Sequence, residues 1–371
     1  MHRGKTRSIY LILEDGSVYD GFAFGGRGDA RGEVVFTTSM NGYVESLSDP
    51  SYNGQMLVIT HPLVGNYGVP KKLRRNGILT NFESDRIQVS GLVLEEITKG
   101  MEWNSEKSLE EWLEEENVPG IYGIDTRSLT LHLRENGSMA GIISDSKNPK
   151  GFEDYEKKNL VENVSVKKPV YYDNNGPTIA IVDYGLKEGI LDCMYAMGYS
   201  IIRLPYNTTE KKLFSYDPSG IVLTNGPGNP LLLEKEVSTV AGIMEHDVSM
   251  LGICLGHQLI SMAVGMNIRK MAFGHRAINK GVIDLASGRC MVTTHNHGYA
   301  VYGETPANID VSHVSLDDRT IEGIRVKGKK VISVQFHPEA RPGAGDGLQI
   351  FKEFDMMVKS GKKWGSKGSK K

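Results

Sequence analysis

An α+β half followed by an α/β half with a mostly parallel sheet is the architecture this chain predicts, and three observations carry the prediction. Up to about residue 150, strand-like runs come first and helices are few. From about residue 177, short apolar runs alternate with helical spacing, the pattern of parallel strands covered by helices on both faces. Between them, residues 151–176 are polar and charged and end in Asn174-Asn175-Gly176-Pro177, which reads as a connector. With 371 residues the chain is long enough for two or three domains.

In the first half, residues 9–13 and 17–24 read as strands joined at Asp15-Gly16, a strong hairpin signal. Residues 32–38 and 55–61 are further strands. Gly65-Asn66-Tyr67-Gly68 must be a loop. Residues 107–117 have helical spacing. Asp125 is placed to cap a helix that stops at Gly137. Residues 138–144 close this half, so 1–150 is taken as one α+β domain.

In the second half, Thr178 to Asp183, 199–204, Gly220 to Leu223 and 248–253 read as strands. Helices are expected at 188–197 and 231–245. Several short strands fall in 281–336, the last from Lys330 to Phe336, and a helix near 346–359 ends the domain at about residue 360. Lys359 to Lys371 holds six lysines and no acid; residues 361–371 are expected to be a solvated basic tail.

Composition excludes some classes of function. A formal net charge of -2 leaves no global basic field for nucleic acid. No apolar run is long enough to span a membrane. The basic start, Met1 to Lys5, is followed by no long apolar core, so no signal peptide is expected. The cysteines Cys193, Cys254 and Cys290 are odd in number and far apart, which suggests neither a disulfide framework nor a metal knuckle. A cytoplasmic location is expected.

The chemistry concentrates in three stretches. Ser249 to Gln258 runs from an apolar strand through Gly252, Cys254 and Gly256 into a helical run, the arrangement of a nucleophile elbow with cysteine as nucleophile. Gly252 and Gly256 leave room for a sharp turn. The helix following Cys254 aims its free N–H groups at the sulfur and favours thiolate. A lone cysteine is most often a small buried hydrophobe, so two further stretches decide. In His337-Pro338-Glu339, residues two apart on an extended chain share a face. Glu339 can then set the tautomer of His337 and leave the second ring nitrogen for a thiol. In Asn225-Gly226-Pro227-Gly228, the glycines let backbone N–H groups approach a developing oxyanion. No residues show metal-ligand spacing.

These three stretches, in this order, resemble the class I triad glutamine amidotransferases over about residues 177–360. Met40-Asn41-Gly42-Tyr43, Asp49-Pro50-Ser51-Tyr52, Gly65 to Gly68 and Gly123 to Arg127 are similar to the small subunits of carbamoyl phosphate synthetases. Phe273-Gly274-His275-Arg276 and His295-Asn296-His297-Gly298-Tyr299 also fit that family. The resemblance implies a glutaminase with Cys254 as nucleophile, His337 as base and Glu339 as orienting acid. It places the glutamine contacts on Ser51, Gly226, Gly228, Leu255, Gln258, Asn296, Gly298 and Tyr299. It implies no cofactor in this chain, and a large synthetase subunit as partner that holds ATP and a divalent metal and makes carbamoyl phosphate. Departures from the family pattern fall at Ala277 and Ile278, where small residues are usual, and at Arg341 and Gly345, in place of serine and histidine.

Overall fold

Residues 7–100 and 102–360 are described by a computed structural model; the lysine-rich tail lies outside the described residues. Seven strands of the first half close on themselves: β1 (Ser8–Leu13), β2 (Val18–Gly25), β3 (Ala30–Thr37), β4 (Gln55–Ile59), β5 (Gly91–Val93), β6 (Pro119–Tyr122) and β7 (Met139–Ser144). Their order around the barrel is β1-β7-β3-β4-β5-β6-β2. Closure removes sheet edges, which otherwise invite pairing with other chains. The hairpin at Asp15-Gly16 joins β1 to β2, with Tyr10 opposite Asp20 and Gly16 at φ 91°. The two helices form where expected. Ser108 and Glu111 make a reciprocal capping box for Leu109–Glu115, and the Asp125 carboxylate accepts from the Ser128 N–H at 2.8 Å to start Thr126–Asn136.

Two barrel strands, β5 and β6, are absent from the sequence reading. They have three and four residues, too few for alternation to show. Their parallel pairing to each other, and of β5 to β4, completes the ring.

The second half is a ten-stranded sheet. Its strands are β8 (Val170–Tyr172), β9 (Thr178–Asp183), β10 (Ser200–Pro205), β11 (Gly220–Leu223), β12 (Ser249–Ile253), β13 (Asn267–Asp284), β14 (Cys290–Tyr302), β15 (Ile309–Ser315), β16 (Ile321–Val326) and β17 (Val331–Val334). They lie in the order β8-β10-β9-β11-β12-β17-β16-β14-β13-β15. The five strands β10, β9, β11, β12 and β17 run parallel and are apolar on both faces, as a sheet covered by helices requires. Their carboxyl ends share one edge. That edge receives Asn225 after β11, Cys254 after β12 and His337 after β17.

The sequence differs from the structure in two places here. The stretch expected as a connector carries β8, which pairs antiparallel with β10. Strand β13, eighteen residues long, begins at Asn267, ahead of the 281–336 stretch in which short strands were expected. Its pairing with β14 slips between Lys270 and His275 and again between Ala277 and Lys280. Such bulges break the alternation by which a long strand is recognised. Among the described residues no helix is long and apolar enough to cross a membrane.

The turn after β12 depends on its glycines. A Cβ on Gly256 would lie 2.2 Å from the Leu223 carbonyl oxygen, and one on Gly252 would lie 2.8 Å from the Gly256 carbonyl oxygen. Both contacts are with backbone, which cannot swing aside. Gly256→Ala should therefore lower the unfolding free energy in urea by about 3 kcal/mol, the upper end of what overpacking costs. A change within error would mean that the turn tolerates a wider geometry.

Candidate active site

Cys254 sits at φ 53°, ψ -102°, a region that residues with a Cβ seldom occupy. Its N–H donates to the Val334 carbonyl at 2.9 Å, and the Gly256 N–H donates to the Thr224 carbonyl at 3.0 Å. Strands on both sides thus clamp the turn. The side chain lines a cleft shared by residues of both halves. Helix Leu255–Ala263 starts at the next residue. Its first N–H groups, Leu255 among them, have no partner within the helix. The thiol itself lies 3.7 Å from the Asn296 carbonyl.

Behind the cysteine is His337. It follows β17, and its N–H donates to the Thr294 carbonyl on β14 at 2.8 Å. Its Nδ1 meets Glu339 Oε1 at 2.8 Å. Its Nε2 is buried, has no conventional hydrogen-bond partner, and interacts with the Cys254 thiol. Burial disfavours the charged ring, but the Glu339 carboxylate and the Cys254 thiol together outweigh it and push His337 up to about 10. Glu339 is itself held well below the usual carboxylate range. Burial opposes this, and the Lys187 ammonium and the His337 ring overcome it.

Lys187 escaped the sequence reading. It precedes helix Glu188–Ala196 with no motif to mark it. Its Nζ lies 2.8 Å from Glu339 Oε1 and donates to the Arg341 carbonyl at 2.9 Å. The side chains of Lys187 and Glu339 are 3% and 0% exposed, so the pair is fully desolvated. Arg341, one of the departures from the family pattern, reaches from here to the first half. Its Nε pairs with buried Glu83 at 2.9 Å. Arg341 therefore belongs to the same charge network as Glu339.

The expected glutamine contacts fall as follows. Ser51, Gly226, Gly228 and Gln258 line the cleft with Cys254. Asn296, Gly298 and Tyr299 line it from β14. Leu255, His337 and Glu339 stand beneath it, outside the lining. A Cβ on Gly226 would lie 2.3 Å from the Tyr184 carbonyl oxygen, and Gly228 has φ 89°; each glycine is needed for its position. Gln258 donates through Nε2 to the Tyr299 carbonyl at 2.9 Å. Two buried asparagines tie the halves together. Asn225 donates to Ser51 Oγ at 2.9 Å, and Asn296 donates to Asp49 Oδ2 at 2.9 Å. Asn225, Asp49 and Arg276 stood inside the recognised motifs, but their types alone did not reveal these roles. Arg276 also lines the cleft, together with the ion-paired Glu33 and Lys270.

This geometry can now be set beside known proteins. The family profile described as "Carbamoyl-phosphate synthase small chain, CPSase domain" matches residues 11–143, and that for class I glutamine amidotransferases matches residues 180–357. A carbamoyl phosphate synthase small chain from Saccharolobus solfataricus is 49% identical over 361 residues, 95% of this chain and 98% of that one. The chain belongs to the carbamoyl phosphate synthase small chain family. A member from Sulfurisphaera tokodaii is 50% identical over 94% of this chain and 96% of its own length. One from Pyrococcus furiosus is 44% identical over 97% of this chain and its whole length. In this chain the class I amidotransferase half follows the small-chain half, and the cleft is lined by residues of both.

Two predictions follow from the buried charges. Lys187→Met leaves Glu339 with one cation instead of two. Breaking a buried pair in this way should cost about 3–5 kcal/mol in urea unfolding; a loss under 1 kcal/mol would show that the pair is not needed for folding. The second concerns His337. Its raised value means that the linked stability is complete below the ordinary 6.5 and is lost as pH climbs through about 10. Glu339→Gln removes the attraction, while burial and the Lys187 charge still oppose protonation. The His337 titration, followed by NMR of the ring carbons, should move to lower pH. A midpoint that stays near 10 would remove Glu339 as its cause.

Proposed function

We propose that this chain is the glutaminase subunit of a carbamoyl phosphate synthase, with Cys254, His337 and Glu339 as its catalytic triad. The observation that supports the triad most directly is the strained Cys254 on the floor of the cleft, with a buried, carboxylate-bound His337 behind it. The Cys254 sulfur attacks the side-chain carboxamide carbon of L-glutamine, and the carbonyl π electrons move onto oxygen. The N–H groups near Gly228 and of Leu255 receive that oxyanion. An imidazolium at His337 gives its proton to the departing nitrogen, and ammonia leaves as the thioester forms. His337 then takes a proton from water, which attacks the thioester and releases glutamate and the thiol. Glu339 keeps the ring oriented, and Lys187 keeps Glu339 ionised.

Glutamine itself is held by Ser51, Gly226, Gly228, Gln258, Asn296, Gly298 and Tyr299. The ammonia passes to a large synthetase subunit, which holds ATP and its divalent metal and combines ammonia with bicarbonate into carbamoyl phosphate. The small chain contributes no nucleotide chemistry in this reading.

The assembled complex tests the division of labour. Cys254→Ser keeps the volume of the side chain and removes the ionisable thiol. Carbamoyl phosphate formation from glutamine should fall by at least about 10³-fold. Formation from added ammonium, with ATP and bicarbonate, should persist. If both fail in an intact complex, the small chain does more than supply ammonia. If glutamine still serves, Cys254 is not the nucleophile.

A further inference from the structure

Two recognised motifs contain residues that the glutaminase reading leaves unused: His275 in Phe273-Gly274-His275-Arg276, and His295 and His297 on either side of Asn296. The sheet brings these three histidines together with Glu322. His295 and His297, two apart on β14, share the face opposite Asn296. His275 stands across from His297 in the β13–β14 register. Glu322 comes from β16, and its side chain is 0% exposed. All four residues are buried.

The proton positions follow from the acceptors around the cluster. A hydroxyl has one proton, and that of Thr293 goes to the Lys280 carbonyl at 3.0 Å. Thr293 must then accept from His295 Nε2 at 2.8 Å, which leaves His295 Nδ1 bare. His297 Nδ1 faces the Tyr299 carbonyl at 2.9 Å and must donate, which leaves His297 Nε2 bare. These two bare nitrogens face each other at 3.2 Å. His275 Nε2 meets the Asp318 carboxylate at 3.1 Å, so its proton belongs there. His275 Nδ1 is buried with no hydrogen-bond partner, 3.7 Å from Glu322 Oε1. Glu322 Oε2 is also buried and unpartnered, 3.7 Å from His295 Nδ1. Four lone pairs converge with no proton of their own to share. One donor atom from each residue lies within 4.8 Å of the other three.

We propose that His275, His295, His297 and Glu322 bind a divalent transition-metal cation of the zinc type. A zinc ion lies about 2.0–2.1 Å from each nitrogen, which sets tetrahedral donors about 3.3 Å apart. The contact of 3.2 Å already matches that spacing, and those of 3.7, 3.7 and 4.0 Å need only a small contraction to reach it. Three imidazoles and one carboxylate suit zinc better than magnesium or calcium, which prefer oxygen. Each histidine also has its outer nitrogen bound to an acceptor, Asp318, Thr293 or Tyr299, the outer-shell arrangement that fixes metal-binding imidazoles. Four protein donors leave no open position, so the site is structural. It would brace the stretch of β14 that presents Asn296, Gly298 and Tyr299 to the cleft, and it is separate from the metal assigned to the partner subunit.

The test uses the full chain without an affinity tag, purified after growth with zinc, and measures metal by mass spectrometry. The expected result is one zinc per chain, retained in Cys254→Ser and lost in both His295→Gln and Glu322→Gln. Asp318→Asn should weaken zinc by about 10–100-fold without abolishing it. Cobalt in place of zinc should show the visible bands of a four-coordinate ion. Because the ligand variants could misfold, the wild type carries its own readout: a strong chelator should lower its melting temperature, and added zinc should restore it. A wild type that contains no stoichiometric metal and takes up none from added zinc overturns the proposal; the cluster then holds an extra proton instead. Zinc that survives His295→Gln but disappears in Cys254→Ser also overturns it, by placing the metal at the thiol.

Discussion

A carboxylate without water governs this molecule. Glu339 is held between the ammonium of Lys187 and the ring of His337, with its side chain fully buried. In such a place an unpaired charge is very costly. Both cations must therefore be present, and in position, for the second half to fold with Glu339 ionised. Lys187 is fixed through its backbone by Asn225 and through its ammonium by the Arg341 carbonyl. Arg341 is fixed by Glu83 in the first half. The requirement to neutralise one carboxylate thus extends from the second half into the first.

The same demand orders the cleft. The three strand ends that meet there carry an asparagine, a cysteine and a histidine; Cys254 and His337 are held by neighbouring strands, and Asn225 by Ser51, the Gly185 carbonyl and the Lys187 N–H. Cys254 can occupy a strained backbone region because the Val334 and Thr224 carbonyls hold the turn on both sides. A site built this way is positioned by the rigid part of the fold.

Much of this could be read from the sequence, for identifiable reasons. The parallel strands are continuous apolar runs, and β11 and β12 end in glycine-bearing turns, so their ends and the residues on them stand out. The hairpin at Asp15-Gly16 and the cap at Asp125 are local chemistry and appear where expected. What could not be read depends on tertiary contact. Strands β5 and β6 are too short to show a period, and the bulges in β13 hide its length. Lys187 carries no local signature; only its burial against Glu339 distinguishes it from a surface lysine. The histidine cluster was missed for a related reason. His295 and His297 are two apart in sequence, but His275 and Glu322 arrive from other strands, so linear spacing could not bring the four together.

The hydrogen bonds from Asn225 to Ser51 and from Asn296 to Asp49 have a mechanical consequence. Each joins the barrel side of the cleft to the floor beside Cys254. Both are short and buried. A displacement of the barrel by even an ångström-scale tug at its outer surface would be transmitted to the groups that surround the thiol before it was absorbed elsewhere. The barrel is in this sense a lever whose short arm ends at the sulfur.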